Sequence, residues 1–285
     1  MIRLERDDFT LAVAPKFGGS VMSFTRSGKD ILRPASEMGE TNWDTRNTAG
    51  FPMLPFVGRI TDGRFKIGKH DVQLPANMPP EPHAIHGFGW QTGWTVENKT
   101  KSTLTLSLGY TATESLWTFK ARQIFVLTDT GLSIQLEIQN TAEIRLPFGF
   151  GWHPYFPKAG ATLQAPVTQS WTGENTRPER AELTDATDLR TKRSVEELNL
   201  DTAFDCEPNP VLIATGDHNI TLESDPIFSK LTVYTPPNED YFCVEPITHT
   251  PDAINMALSD TTTGLKWLRP AETLSGKMTL SVKPV

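Results

Sequence analysis

The chain has 285 residues, is 38% hydrophobic and 21% charged, and carries a net charge of −7. Its sequence pI is near 5.4. That is the balance of an ordinary globular protein with enough chain for a large core. The acidic balance, with no basic run, excludes a protein that works by neutralising nucleic-acid phosphates.

The N-terminus, Met1 to Asp8, is charged almost throughout and lacks the apolar core of a signal peptide. No later stretch is apolar for long enough to cross a bilayer. A cytoplasmic location without a membrane partner is therefore expected.

Taken in chain order, the first unusual segment is Phe51 to Phe65, where Arg59 lies inside an apolar run just before a turn. A cation there must either reach solvent or find acceptors. His83-Ala84-Ile85-His86-Gly87-Phe88-Gly89-Trp90 follows, with two histidines, a tight glycine backbone, and Phe88 or Trp90 as a flat face for a ring. Leu104 to Tyr110, Gln123 to Thr128 and Leu132 to Ile138 alternate apolar and polar residues, the period of half-buried strands. Asp129-Thr130-Gly131 between the last two reads as a hairpin turn, with Gly131 expected in a left-handed conformation.

Phe148 to Pro157 packs five aromatic residues around His153, which is either an activated or a core histidine. Thr172 to Thr191 is polar and reads as a long surface loop. Ser194-Val195-Glu196-Glu197 is a capping-box pattern and predicts a short helix ending near Leu200. Ile220 to Glu223, Lys230 to Thr235 and Met278 to Val282 are further strands. In Tyr241 to His249, Glu245 sits in an apolar strand, where a carboxylate is costly to bury. Pro246 after it predicts a strand end, with Glu245 facing solvent or a cleft.

Helix signals are few, and no βαβ alternation or internal repeat is present. One continuous antiparallel β-sandwich is the predicted fold. Cys206 and Cys243 lie outside any C-x-x-C pair. They read as two reduced thiols, with a disulfide as the alternative.

One carboxylate, one histidine and surrounding aromatics suit proton transfer on a neutral, hydroxyl-rich small molecule. No phosphate loop, dinucleotide fingerprint or nucleophile elbow accompanies them. The spacing of His83 and His86 also allows a metal site built from His83, His86, His153 and Glu245.

These segments resemble the aldose 1-epimerase (galactose mutarotase) family. Phe51 to Phe65 is similar to its P-x-x-P-x-x-N-R-I-x-x-G-x-F stretch, His83 to Trp90 to H-x-x-H-G, and Trp152 to Phe156 to x-H-x-Y-F. Cys243 to Asn255 resembles x-x-E-P-x-T-x-x-P-D-A-x-N, the most specific of the matches. Leu200 to Phe204 resembles, more weakly, D-x-x-F. The matches keep family order from about Pro15 to the C-terminus.

The resemblance implies an all-β, galactose mutarotase-like supersandwich of antiparallel strands, with residues 1–285 as a single domain. It implies a free aldose as substrate and no metal or organic cofactor. It makes Glu245 the general base and His153 the general acid, and assigns Arg59, His86, Asp201 and Tyr155 to sugar binding. In the mechanism it implies, the ring opens, C1–C2 rotates and the ring closes on the other face. The resting pair is then expected as Glu⁻ with HisH⁺, facing each other across a ring-sized gap. One departure is Gly58, where the family usually has Asn. That departure raises a second reading, a non-catalytic sugar-binding or sensing module on the same sandwich.

Overall fold

In the computed structural model, residues 1–36, 44–112, 115–173, 178–256 and 260–285 are described. Their strands form two large antiparallel sheets and three two-stranded ones. Of the predicted strands, five fall in the second large sheet, on Thr103–Thr111, Thr118–Leu127 (Thr128 lies just past it), Gly131–Asn140, His218–Ser224 and Thr273–Pro284, and Lys230 to Thr235 falls on Lys230–Tyr234 of the first.

The other sheet carries the site. Its path runs Ile2–Arg6, Phe9–Ala14, Ser20–Arg26, Gly50–Met53, Gly151–Pro157, Tyr241–Ile247, Lys230–Tyr234, Asp201–Cys206, Val167–Thr172 and Glu179–Ala181. One buried apolar cluster takes residues from both sheets, from Leu4 to Val282. Strand alternation sorts the site sheet cleanly. Trp152, Phe156, Leu231, Val233, Phe242 and Val244 enter that cluster. Phe51, Met53, Tyr155, Ala203, Cys243 and Ile247 form a second cluster on the opposite face. The cleft opens on this second face.

Several expectations change here. No helix forms at Ser194. A single 3₁₀ turn covers Val195–Glu197, the Ser194 side chain makes no cap bond, and the backbone is extended again at Leu198. Tertiary bonds prevail over the local pattern. Val195 N donates to Ala161 O, and Glu196 accepts from Gly160 N. Val195, Leu198 and Leu200 are all buried in the main cluster, which an extended path allows.

Gly131 has φ +152, a positive value that L side chains rarely adopt, as the turn was expected to require. Glycine is needed there for space, because a Cβ would lie 2.0 Å from Leu280 O. The polar stretch from Thr172 is not loop throughout, since Glu179–Ala181 adds an edge strand to the site sheet and Leu189 is fully buried. Its residues 174–177 lie outside the described set. Pro246 does not end its strand, which continues to Ile247. Both cysteines are free thiols.

Candidate active site

His153 and Glu245 meet through strand register. Gly151 pairs with Ile247, and Tyr155 with Cys243. Carried across the interval, that constant register sets His153 directly opposite Glu245. The ladder is interrupted between the two pairs, because Pro154 and Pro246 have no N–H to donate. On neighbouring strands, opposed side chains on one face lie within contact distance. His153 Nε2 stands 3.3 Å from Glu245 Oε1, with both side chains buried. The expected ring-sized gap between them is absent. The two groups lie side by side.

Aromatic packing fixes the imidazole. Phe51, opposite His153 on the strand Gly50–Met53, stacks on it with centroids 4.6 Å apart, and the Tyr155 ring lies at 4.8 Å. His86 meets it edge-on at 5.4 Å. His86 is itself locked by a reciprocal pair of bonds. Its N–H donates to Gly58 O at 2.9 Å, and its Nδ1 accepts from Gly58 N at 3.2 Å. Nδ1 is therefore the unprotonated nitrogen, and Nε2–H is left as a donor.

Arg59 finds acceptors. It makes a two-pronged pair with Glu81, both contacts 2.9 Å, and Nη1 lies 3.8 Å from Asp201. These groups line a cleft of about 320 Å³ together with Tyr155, Thr232, Tyr234 and Tyr241.

Burial decides the charge states. It pushes the Glu245 carboxyl well above the usual carboxylate range, and the charge of Asp201 adds to this while Arg59 opposes it. His153 is pushed down to about 3, again chiefly by burial. His86 falls well below its usual value for the same reason. The expected Glu⁻/HisH⁺ pair is thus corrected to its neutral tautomer, since desolvating two charges outweighs their attraction. The two forms hold the same single proton, which belongs to the pair.

The metal-cage expectation does not hold. Neither His83 nor His86 has its ligand atoms with those of His153 and Glu245; Cys243 does. His83 instead accepts from Asp62 N at 3.1 Å. Phe88 and Trp90 do not line the cleft. Phe88 stacks on Tyr110, and Trp90 is buried with its indole N–H on Ile85 O.

Four contributors escaped the sequence reading. Cys243 and Tyr241 were findable by alternation from Glu245, and Phe51 by opposing His153. Glu81 had no signal, being a lone acid in a proline-rich loop. Replacing Glu81 by Gln is expected to raise KM by about tenfold with kcat nearly unchanged, because it loosens Arg59 without touching the proton pair. Steady-state kinetics check this.

Gly58 has φ +63, and a Cβ there would meet Pro251 Cβ and Cγ at 2.8 Å. Glycine is therefore what this backbone takes, and the Asn of the related stretch does not fit. Gly58→Asn is expected to cost about 1–3 kcal/mol, read from denaturant midpoints.

Asp252 serves the same wall. It accepts from Thr61 N and Oγ1 at 3.1 and 2.7 Å, and its own N–H donates to Arg59 O. The most specific sequence match thus includes a brace for the Arg59 turn. His249 is structural as well. Its Nε2 accepts from Val57 N and its Nδ1 faces Thr250 O.

Burial pushes His249 down to about 4. A histidine held neutral in the fold gives stability that is present above about 6.5 and lost as pH falls through about 4. The contribution is on the order of 3 kcal/mol. Unfolding midpoints against pH should show a smaller acid loss in His249→Gln than in the parent chain.

Comparison with solved structures places the fold. The fold matches a provisionally assigned aldose 1-epimerase from Escherichia coli K12, with TM-score 0.88, 25% identity, and 99% and 98% of the two chains covered. It also matches a galactose mutarotase-like protein from Clostridium acetobutylicum, with TM-score 0.89, 19% identity, and 99% and 95% covered. Among curated proteins, the uncharacterised YphB of Escherichia coli K12 is 27% identical over 288 residues, covering 93% of each chain. Residues 1–281 match the aldose 1-epimerase family model. The chain belongs to the aldose 1-epimerase family, and this supports an enzyme of the sugar-epimerase kind. No helix among the described residues is long and apolar enough to cross a membrane.

Proposed function

We propose that this protein is a mutarotase, interconverting the α and β anomers of a free aldose with Glu245 as general base and His153 as general acid. The observation that carries the reading is the 3.3 Å contact between His153 Nε2 and Glu245 Oε1 on the wall of the cleft. The two sugar oxygens to be served, the anomeric hydroxyl and the ring oxygen, are bonded to one carbon. An adjacent acid and base reach both at once, where groups a ring-width apart would not.

Glu245 takes the anomeric proton as His153 gives one to the ring oxygen, and the C1–O5 bond breaks. Rotation about C1–C2 turns the other carbonyl face inward. The C5 hydroxyl then adds to C1, returning its proton to His153 while Glu245 protonates the carbonyl oxygen. A hydroxyl donating to Glu245 and a ring oxygen accepting from His153 both favour the ionised tautomer. Substrate binding thereby moves the shared proton to the atom that needs to give it. The scheme uses only side chains of this chain.

Arg59 and Asp201 present a donor beside an acceptor for ring hydroxyls, His86 offers Nε2–H, and Tyr155 backs the imidazole. In this reading residues 1–285 act as one domain in the cytoplasm, with a sugar as partner. The sensing alternative drew on Gly58. The backbone conformation and Pro251 account for that glycine without reference to ligand.

Saturation-transfer NMR on freshly dissolved α-aldoses tests the proposal. Anomer exchange should be faster with the parent chain than with Glu245→Gln. A panel of aldoses showing no difference between the two sinks it.

A further inference from the structure

Cys243 takes no part in the scheme above, yet it belongs to the same cluster. Cys243 and Glu245 are alternate residues of one strand and share its cleft face, and His153 stands on the adjacent strand opposite Glu245. The ligating atoms of the three residues lie within 4.8 Å of one another, and all three residues are buried. Tetrahedral zinc holds its donors at about 2.0–2.3 Å, which sets them about 3.3–3.7 Å apart. The His153–Glu245 distance is already 3.3 Å.

We propose that His153, Cys243 and Glu245 form a binding site for a thiophilic divalent cation, zinc above all, that silences the acid–base pair by taking the place of its proton. The donor set is one imidazole nitrogen, one sulfur and one carboxylate oxygen. Such a set favours zinc, cobalt and cadmium over magnesium and calcium, which take oxygen alone. Three protein ligands leave the fourth position toward the cleft, for water or a sugar hydroxyl.

The proton balance is simple. An entering ion displaces the thiol proton and the one proton shared by His153 and Glu245, so two leave per ion. Burial holds the free thiol protonated, and a coordinated cation overrides this because its charge deprotonates the sulfur. Asp201 offsets the cations Arg33 and Arg59 in the surroundings of Cys243 and Glu245.

Cobalt(II) alone is the probe, because thiolate ligation gives it a charge-transfer absorption band that nitrogen and oxygen ligands do not. The chain has two cysteines, and Cys206 lies outside the cluster, so each serves as control for the other. The expected result is a band saturating at one ion per chain, abolished by zinc and unchanged in Cys206→Ser. In Cys243→Ser the band is lost and binding weakens by more than about tenfold, the least that losing even a partner behind a ligand costs.

No band in the parent chain at excess cobalt overturns the proposal, as does a band that Cys206→Ser abolishes. Both arms stand whether or not Cys243→Ser folds. The inhibitory half rests on the mutarotase reading. Zinc should slow anomer exchange, and a chelator should restore it. Cobalt binding through Cys243 in a chain that exchanges no anomers would leave the cation site standing and the mutarotase reading refuted.

Discussion

Glu245→Gln is expected to slow anomer interconversion by about 10²–10⁴-fold, the usual worth of one positioned proton-transfer group. The amide keeps the shape and the hydrogen-bonding reach of the side chain but cannot accept the anomeric proton. Burial already holds Glu245 on the protonated side. The substitution therefore removes no buried ion pair, and the thermal midpoint should stay within a few degrees of the parent. The loss should fall on kcat, with KM little changed, because the interaction removed is made in the transition state. A variant within tenfold of the parent rate would show that the carboxylate is a bystander.

His153→Asn is expected to cost a similar factor, again about 10²–10⁴, and to lower stability through the lost stack on Phe51. The stronger test is the pH profile of the parent chain, which reports the free enzyme when read as kcat/KM. Adding a second proton to the pair creates a buried imidazolium beside an acid, and burial opposes it. His153 is accordingly pushed down to about 3. Removing the shared proton leaves a buried carboxylate, which burial also opposes, so that limb moves well above 4.5. The acid limb of kcat/KM should therefore lie well below the ordinary histidine range. An acid limb near 6.5, the ordinary histidine value, would mean that His153 titrates alone and that no proton is shared.

The physics of the site also explains why it was legible in pieces. A carboxylate in an apolar strand and a histidine among aromatics are conspicuous because burying them is expensive. Glu245 and His153 therefore stood out locally. Arg59 was ambiguous, because solvent exposure and an acceptor pair look the same in one segment. The acceptor turned out to be Glu81, which comes from a loop with no periodicity. The capping box at Ser194 failed because its propensity is worth little beside the burial of Val195 and Leu198 in the main cluster. His83 and His86 are close in sequence, but Asp62 and Gly58 turn them to separate duties.

The sequence by itself determined the all-β architecture, the alternation that assigns each strand residue to a face, and the prominence of Glu245 and His153 as the two polar groups set among apolar neighbours. Those follow from short-range periods and from the cost of isolated polar groups, which a single segment displays. Only the tertiary structure decided that His153 and Glu245 touch, that burial opposes charge on both, and that Cys243 lies beside them. Strands about ninety residues apart in the chain meet there in a register fixed by Gly151, Tyr155, Cys243 and Ile247. The proton's place depends on burial from every side, which no segment carries within itself.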